Sequence, residues 1–545
     1  MVTLPPRAVR QFLLPGGVSA RFTTVRRRPA PPAVIWLPAT LVGLLALLPL
    51  VYLVLRAASA GSSFWSHLFR HKTLDVLLNS LVLAGAVAIS TVVLAVPLAW
   101  LTTRTNLPGR RLWATLGALP LVIPSYVGAL ALVSTLGPKG IVQGWLEPLG
   151  IERLPSIYGF WGAWLALTLF CYPYVLLSVR SALRGMDPGL EEAARSLGHG
   201  PWRTFTAATL PQLRPAMAAG ALLAALYTLG DFGVVTLLRY DAFTRAIYVQ
   251  YRSALDRSSA AGLALLLVIV TIGLLAIESR VRGNDVLHRL GSGAARQAKP
   301  VPLGRWKIPA ILFCALVVLL SLGIPVLVLL GWFLRALRQG AAFDGIGIAA
   351  LHSLTIGLWT ALAATAAALP IALLAARYPG PLGSVSERIA YLGYALPGIV
   401  VALAFVSIGV RTPFHQTLAL LVVACVVRFL PEAVGANRLS LLQVSPRMEE
   451  AARGLGETAV GAARRVLIPL AGPGMLAGAA LVLLTTMKEL PVTLLLAPTG
   501  YDTLAIDIWT AANDAAYGRA AAPALLLILL SAIPTMLLAA RDRRE

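Results

Sequence analysis

Long apolar stretches alternate along this 545-residue chain with short polar, arginine-rich ones. A helix of about 20 apolar residues matches the hydrocarbon thickness of a bilayer. The pattern places spanning helices at 33–56, 75–103, 112–136, 157–180, 212–236 and 259–279. A second set follows at 308–334, 350–376, 388–410, 414–436, 470–497 and 518–540. Twelve spans put both termini on one side of the membrane. Interior prolines do not argue against these assignments, because neighbouring helices in a bundle satisfy the backbone groups that proline frees.

Two of the polar stretches, 187–211 and 445–469, are the same sequence written twice. Glu191-Glu192-Ala193-Ala194 corresponds to Glu449-Glu450-Ala451-Ala452, Gly198 to Gly456, and Leu210-Pro211 to Ile468-Pro469, all at one offset and without insertion. Each copy begins on a helix start signal, Asp187-Pro188 or Ser445-Pro446, with an oxygen-bearing cap ahead of proline. The paired glutamates fall in the first turns, where the helix dipole favours carboxylates. Small alanines leave a low-relief helix surface, and Gly198 and Gly456 let the chain end one helix and bend into the next.

The repeat divides the chain. A basic segment, 1–32, precedes a first six-helix half, 33–279, with its core at 75–279. A Gly-, Ala- and Arg-rich linker, 280–307, joins it to a second half, 308–540, with its core at 350–540, and 541–545 form a tail. Leu78-Asn79-Ser80-Leu81 with Pro97 matches Leu351-His352-Ser353-Leu354 with Pro370, and Leu119-Pro120 is paired here with Leu396-Pro397. An even number of spans per copy makes the halves parallel, related by an axis along the membrane normal. The first half carries an additional outer stretch between Gly137 and Tyr158.

Composition removes other classes. With 58% hydrophobic and 13% charged residues, the chain is too apolar to be a soluble protein of this size. Its net charge of +23 sits in loops between spans, as the positive-inside rule requires, and does not indicate nucleic acid. Cys171, Cys314 and Cys425 lie far apart in apolar segments and read as packing residues, and the six histidines are scattered, so no metal site is expected. No Gly-Lys dipeptide occurs, hence no phosphate loop. Any ATP hydrolysis, with its Mg, belongs to another chain, and this chain is expected to bind no cofactor and to be no enzyme.

Glu-Ala-Ala, three residues, Gly, nine residues, an aliphatic position (Ala208 or Val466), one residue and Leu/Ile-Pro resembles the coupling loop of binding-protein-dependent ABC importer permeases. The resemblance implies an all-α polytopic fold of two parallel six-helix repeats in a bacterial cytoplasmic (inner) membrane, with both termini in the cytoplasm. It implies two copies of an ABC ATPase subunit and an extracytoplasmic substrate-binding protein as partners. Glu191, Glu192, Ala193, Ala194, Gly198, Pro211 and their second-half equivalents Glu449, Glu450, Ala451, Ala452, Gly456, Pro469 would then couple to the ATPase.

Twenty residues beyond each Leu/Ile-Pro stands an acid, Asp231 or Glu489. At about 1.5 Å per residue these lie roughly 30 Å along the span, towards the external mouth. An acid at such depth lines water or finds a partner. Two uses are open: capping a following short helix or pairing with a base such as Lys488, or serving on the translocation path. The surrounding segments 231–248 and 488–505 resemble the ferric-iron branch of fused two-half permeases, and Tyr240, Tyr248 and Tyr501 are oxygen donors compatible with a hard cation. Thiamine, sulfate and polyamine permeases share the general pattern. A proton-coupled secondary transporter is the alternative of another class; it has no use for matched coupling helices.

Overall fold

The computed structural model describes residues 31–59, 71–138, 140–150, 154–187, 189–253, 257–281, 300–341, 343–378 and 380–541. The expected basic segment, most of the linker and the end of the tail lie outside the described residues. Each half presents the same order of helices, save a short additional helix, Ile141–Leu146, in the first. The first runs α1 (Ala33–Ser59), α2 (His71–Arg104), α3 (Arg110–Leu116), α4 (Ser125–Leu136), α5 (Phe160–Gly185), α6 (Gly189–Ser196), α7 (Pro201–Gly230), α8 (Gly233–Leu237), α9 (Phe243–Ser253) and α10 (Arg257–Val281). The second runs α11 (Gly304–Arg338), α12 (Ile346–Arg377), α13 (Pro381–Tyr391), α14 (Gly398–Gly409), α15 (Leu418–Gln443), α16 (Pro446–Gly454), α17 (Ala459–Met487), α18 (Pro491–Leu496), α19 (Leu504–Asn513) and α20 (Tyr517–Arg541).

Among the described residues ten helices are long and apolar enough to cross a membrane, and a bent pair makes eleven. The expected twelfth place is taken by α20, whose described apolar stretch is Tyr517–Ala532.

Within each half, α2, α5 and α7 pack together, as do α12, α15 and α17. Gly220 and Gly478 permit the close approach in this trio: a Cβ on Gly220 would come within 2.6 Å of Val175 Cα, and one on Gly478 within 2.3 Å of Ala436 Cβ. The first span of each half crosses to the other half. Helix α1 lies on α12, α13 and α14, and α11 lies on α3, α4 and α5. Ile35, Ala39, Ala46 and Leu53 consequently share one core with Ile371, Ile399 and Val400.

Two sequence expectations need correction. The spans at 112–136 and 388–410 are each broken, by a 3₁₀ turn at Leu119–Val122 ahead of α4 and another at Leu392–Ala395 ahead of α14, where the second pair bends by 102°. Pro124 and Pro397 stand immediately before α4 and α14 and lack the N–H that would continue the preceding turns. Pro124, and not Pro120, is therefore the counterpart of Pro397. The spans at 212–236 and 470–497 stop early, at Gly230 and Met487, and resume as the short helices α8 and α18.

Near the start of α7 and of α17 lies a π turn, Phe205–Thr209 and Ala463–Leu467. The Leu210 N–H reaches the Phe205 carbonyl and the Ile468 N–H reaches that of Ala463, each five residues back. Pro211 and Pro469 follow at once. Proline supplies no N–H to the regular ladder, so the Leu/Ile-Pro end of the repeated motif is what widens the turn.

Candidate functional site

The repeated loops form short helices, α6 and α16, that turn at Gly198 (φ 83°) and Gly456 (φ 94°), as expected. Asp187 accepts the Gly189 N–H at 2.9 Å, whereas the Ser445 side chain makes no cap hydrogen bond, contrary to the reading of that residue.

The twin glutamates separate into two roles. Glu191 is buried, 3.7 Å from Arg104 and 3.4 Å from Arg195, and accepts the Thr209 hydroxyl at 3.0 Å. Its counterpart Glu449 lies 3.5 Å from Arg377, which also donates to the Leu441 and Val444 carbonyls at 2.9 and 2.8 Å. Arg104 and Arg377 are the last residues of α2 and α12, so each loop helix is tied to the end of a span through an ion pair, buried in the first half and half-buried in the second. Glu192, Ala193, Glu450 and Ala451 face outward and are exposed. Ala194 is half-buried and Ala452 buried, turned towards the permease itself. Leu197 and Leu455, again equivalent, are 78% and 88% exposed. Each loop thus offers an outward apolar tip beside an acid, with the inward acid holding it in place. The two arginines that receive the inward acids were not singled out in the sequence.

At the other end of the spans the repeat also shows. Asn79 and His352 contact the Asp241 and Asp502 carbonyls, and Ser80 and Ser353 accept the Phe243 and Leu504 N–H at 3.0 and 2.9 Å. Tyr240 and Tyr501 donate to the Asn79 and His352 carbonyls at 2.9 and 3.0 Å. Their hydroxyls anchor loops, and Tyr248 accepts a bond from Arg252 and packs its ring edge-on to Phe232. Among the described residues no group of His, Cys, Asp or Glu could hold a metal ion, and the three cysteines are free and buried.

Asp231 and Glu489 sit at matching places, ahead of α8 and α18 and against the broken third spans. Asp231 accepts the Ser125 hydroxyl at 2.5 Å and the Val234 N–H at 2.8 Å and is 7% exposed. Tyr227 adds a bond to Ser125 at 3.1 Å. Glu489 Oε1 is buried without a partner, 2.3 Å from where a Cβ on Gly398 would stand. Gly398 and Ser125 each open the helix after the break. The capping use is therefore present at Asp231, and the pairing with Lys488 is not present: Lys488 Nζ donates to the Leu121 carbonyl of the first half at 2.8 Å. Sequence reading missed two charged neighbours, Arg428 and Glu432, one turn apart on α15; their signal was an i, i+4 charge pair inside an apolar stretch.

The family described as binding-protein-dependent transport system inner membrane component matches residues 60–278 and 368–545. An Fe(3+)-transport system permease protein of Haemophilus influenzae is 33% identical over 515 residues, covering 93% of this chain and 98% of its own. A ferric transport system permease protein of Actinobacillus pleuropneumoniae is 25% identical over 481 residues, 84% of this chain and 69% of its own. The sulfate transport system permease protein of Escherichia coli is 29% identical over 256 residues, 45% of this chain and 91% of its own.

Proposed function

This chain belongs to the family of binding-protein-dependent transport system inner membrane components, and from that premise we propose that it is the permease of an ATP-driven importer whose cargo is ferric iron. The observation that carries the cargo is the likeness to an iron permease through both halves and the joint between them, over 93% of the chain. The sulfate permease is alike over 45% of it, which makes an oxyanion the second reading. Asp231, Glu432 and Glu489 at the seam outnumber Arg428 and Lys488 there, and a net negative seam argues against that reading, because it raises the energy of a passing anion.

One chain brings both coupling loops, so it assembles with two copies of a separate ATPase subunit, and an extracytoplasmic binding protein delivers the cargo. Both termini lie in the cytoplasm, on the side of α6 and α16. The outward faces of these helices, Glu192, Ala193, Glu450 and Ala451, with Leu197 and Leu455, seat in the ATPase, and Asp231 and Glu489 border the route. The chain itself binds no cofactor. Reconstitution with the ATPase and binding protein tests this. ATP-dependent accumulation of ferric iron, unaffected by excess sulfate, is the expected result; accumulation of sulfate in its place overturns the cargo.

A further inference from the structure

Charge is distributed unequally across the seam between the halves. Counted from the starts of α5 and α15, Arg428 and Glu432 stand where the first half has Phe170 and Tyr174, and Lys488 stands where it has Gly230. Buried charges need partners, yet among the described residues no acid lies within ion-pair distance of Lys488 or Arg428.

Both cations are spent on carbonyls of the two broken spans. Arg428 donates to Leu396 at 2.6 Å and Gly393 at 3.5 Å, on its own half's 3₁₀ turn. Lys488 reaches across to Leu121, on the equivalent turn of the other half. Glu432 accepts from Thr485 at 3.0 Å, on the face of α17 that leads to Lys488, and Glu489 keeps a buried oxygen unpartnered. Glu432 faces Lys488 from α15, Leu121 faces it from the first half, and Glu489 follows it in the chain. Both cations lie within electrostatic reach of Glu432.

An ammonium whose only hydrogen-bond acceptor among the described residues is a carbonyl on the opposite half favours the arrangement that keeps the halves together. With the halves together it bridges the seam. With the halves apart it loses that acceptor and is hydrated in the opened route.

We infer that Lys488 is the latch of the cargo route: its bond to the Leu121 carbonyl closes the seam, and its release uncovers Glu432 and Glu489 as the acidic lining met by a multivalent cation. This rests on the reading of the chain as an importer permease. It makes Lys488 a gating and charge-selecting residue, peculiar to the second half.

The test uses the complete transporter, with ATPase and binding protein, in proteoliposomes. Lys488→Met keeps the length of the side chain and removes the donor; Lys488→Arg keeps a donor. Loss of one charged hydrogen bond shifts an open-to-closed ratio by about ten-fold. Lys488→Met is therefore expected to raise ATP hydrolysis without binding protein about ten-fold, and to speed labelling of Leu121→Cys by an impermeant maleimide to a similar degree. The three native cysteines are buried and should stay silent. Lys488→Arg should resemble the parent in both. If Lys488→Met accumulates poorly, Glu432→Gln/Lys488→Met removes the stranded charge and should still show the elevated hydrolysis. Unchanged hydrolysis and labelling in a variant present at parental levels, or equal effects of Met and Arg, overturn the latch. A parent transporter whose hydrolysis the binding protein does not stimulate would instead overturn the importer reading.

Discussion

Glu191→Gln and Glu192→Gln alter neighbouring, chemically identical residues, and the structure assigns them opposite consequences. Glu191 is 5% exposed at its side chain and faces Arg104, 7% exposed. Removing its charge keeps an acceptor for Thr209 but leaves a buried guanidinium unpaired, a change worth about 3 kcal/mol and often more. Its separation of 3.7 Å from Arg104 and the exposed position of Arg195 place it at the lower end of that range. At about 3 kcal/mol the population of correctly placed loop falls by roughly two orders of magnitude. Glu192 is exposed and has no such debt, so its neutralisation leaves the loop in place and weakens only contact with the ATPase. Protease sensitivity of 187–211 in detergent, without ATPase, reads the first effect, and co-purification of the ATPase reads both. Glu191→Gln is expected to expose the loop to cleavage and Glu192→Gln not to. Arg104→Met should match Glu191→Gln, and the pair together should cost less than the sum, since neither charge is then stranded. Glu449→Gln should be milder, because Arg377 retains the Leu441 and Val444 carbonyls. Equal cleavage of the Glu191 and Glu192 variants would refute the division of roles.

Asp231→Asn and Glu489→Gln should each lower iron uptake several-fold with ATPase assembly intact, and less than additively together; full uptake in the double variant would leave both as helix caps. Native mass measurement should find one permease chain with two ATPase subunits, and two permease chains per complex would reject the stoichiometry. Separate expression of 1–290 and 291–545 in one cell should give halves that purify together, because α1 and α11 are each embedded in the opposite half; recovery of independent halves would count against that packing.

The helices and the doubling of the chain were legible because apolar length and an exact repeat of Glu-Ala-Ala and Gly survive without any tertiary information. The breaks at Pro124 and Pro397 were not, since membrane bundles tolerate prolines inside continuous spans and hydropathy runs on through them. Nor does a pair such as Glu191-Glu192 reveal which carboxylate turns inward. That depends on Arg104, far away in sequence, whose position at the end of a span shared with Arg377 was the available clue. Tyr240 and Tyr501 looked like oxygen donors for a metal; the backbone carbonyls of Asn79 and His352 claim them first. Arg428 and Glu432 escaped notice inside a long apolar run, where a single i, i+4 pair barely lowers the average.

The π turns at Phe205–Thr209 and Ala463–Leu467 make the spacing between loop and span a matter of whole residues. One residue of helix is about 100° of rotation and 1.5 Å of rise. A chain shorter by one residue within either turn would aim its loop more than a quarter turn aside, while keeping every side chain that the motif specifies. Insertions and deletions at these two places are expected to disturb the loop more than substitutions do. Among natural variants of this chain, the count of residues from Gly198 to Pro211, and from Gly456 to Pro469, is the quantity to compare when asking which ATPases it can serve.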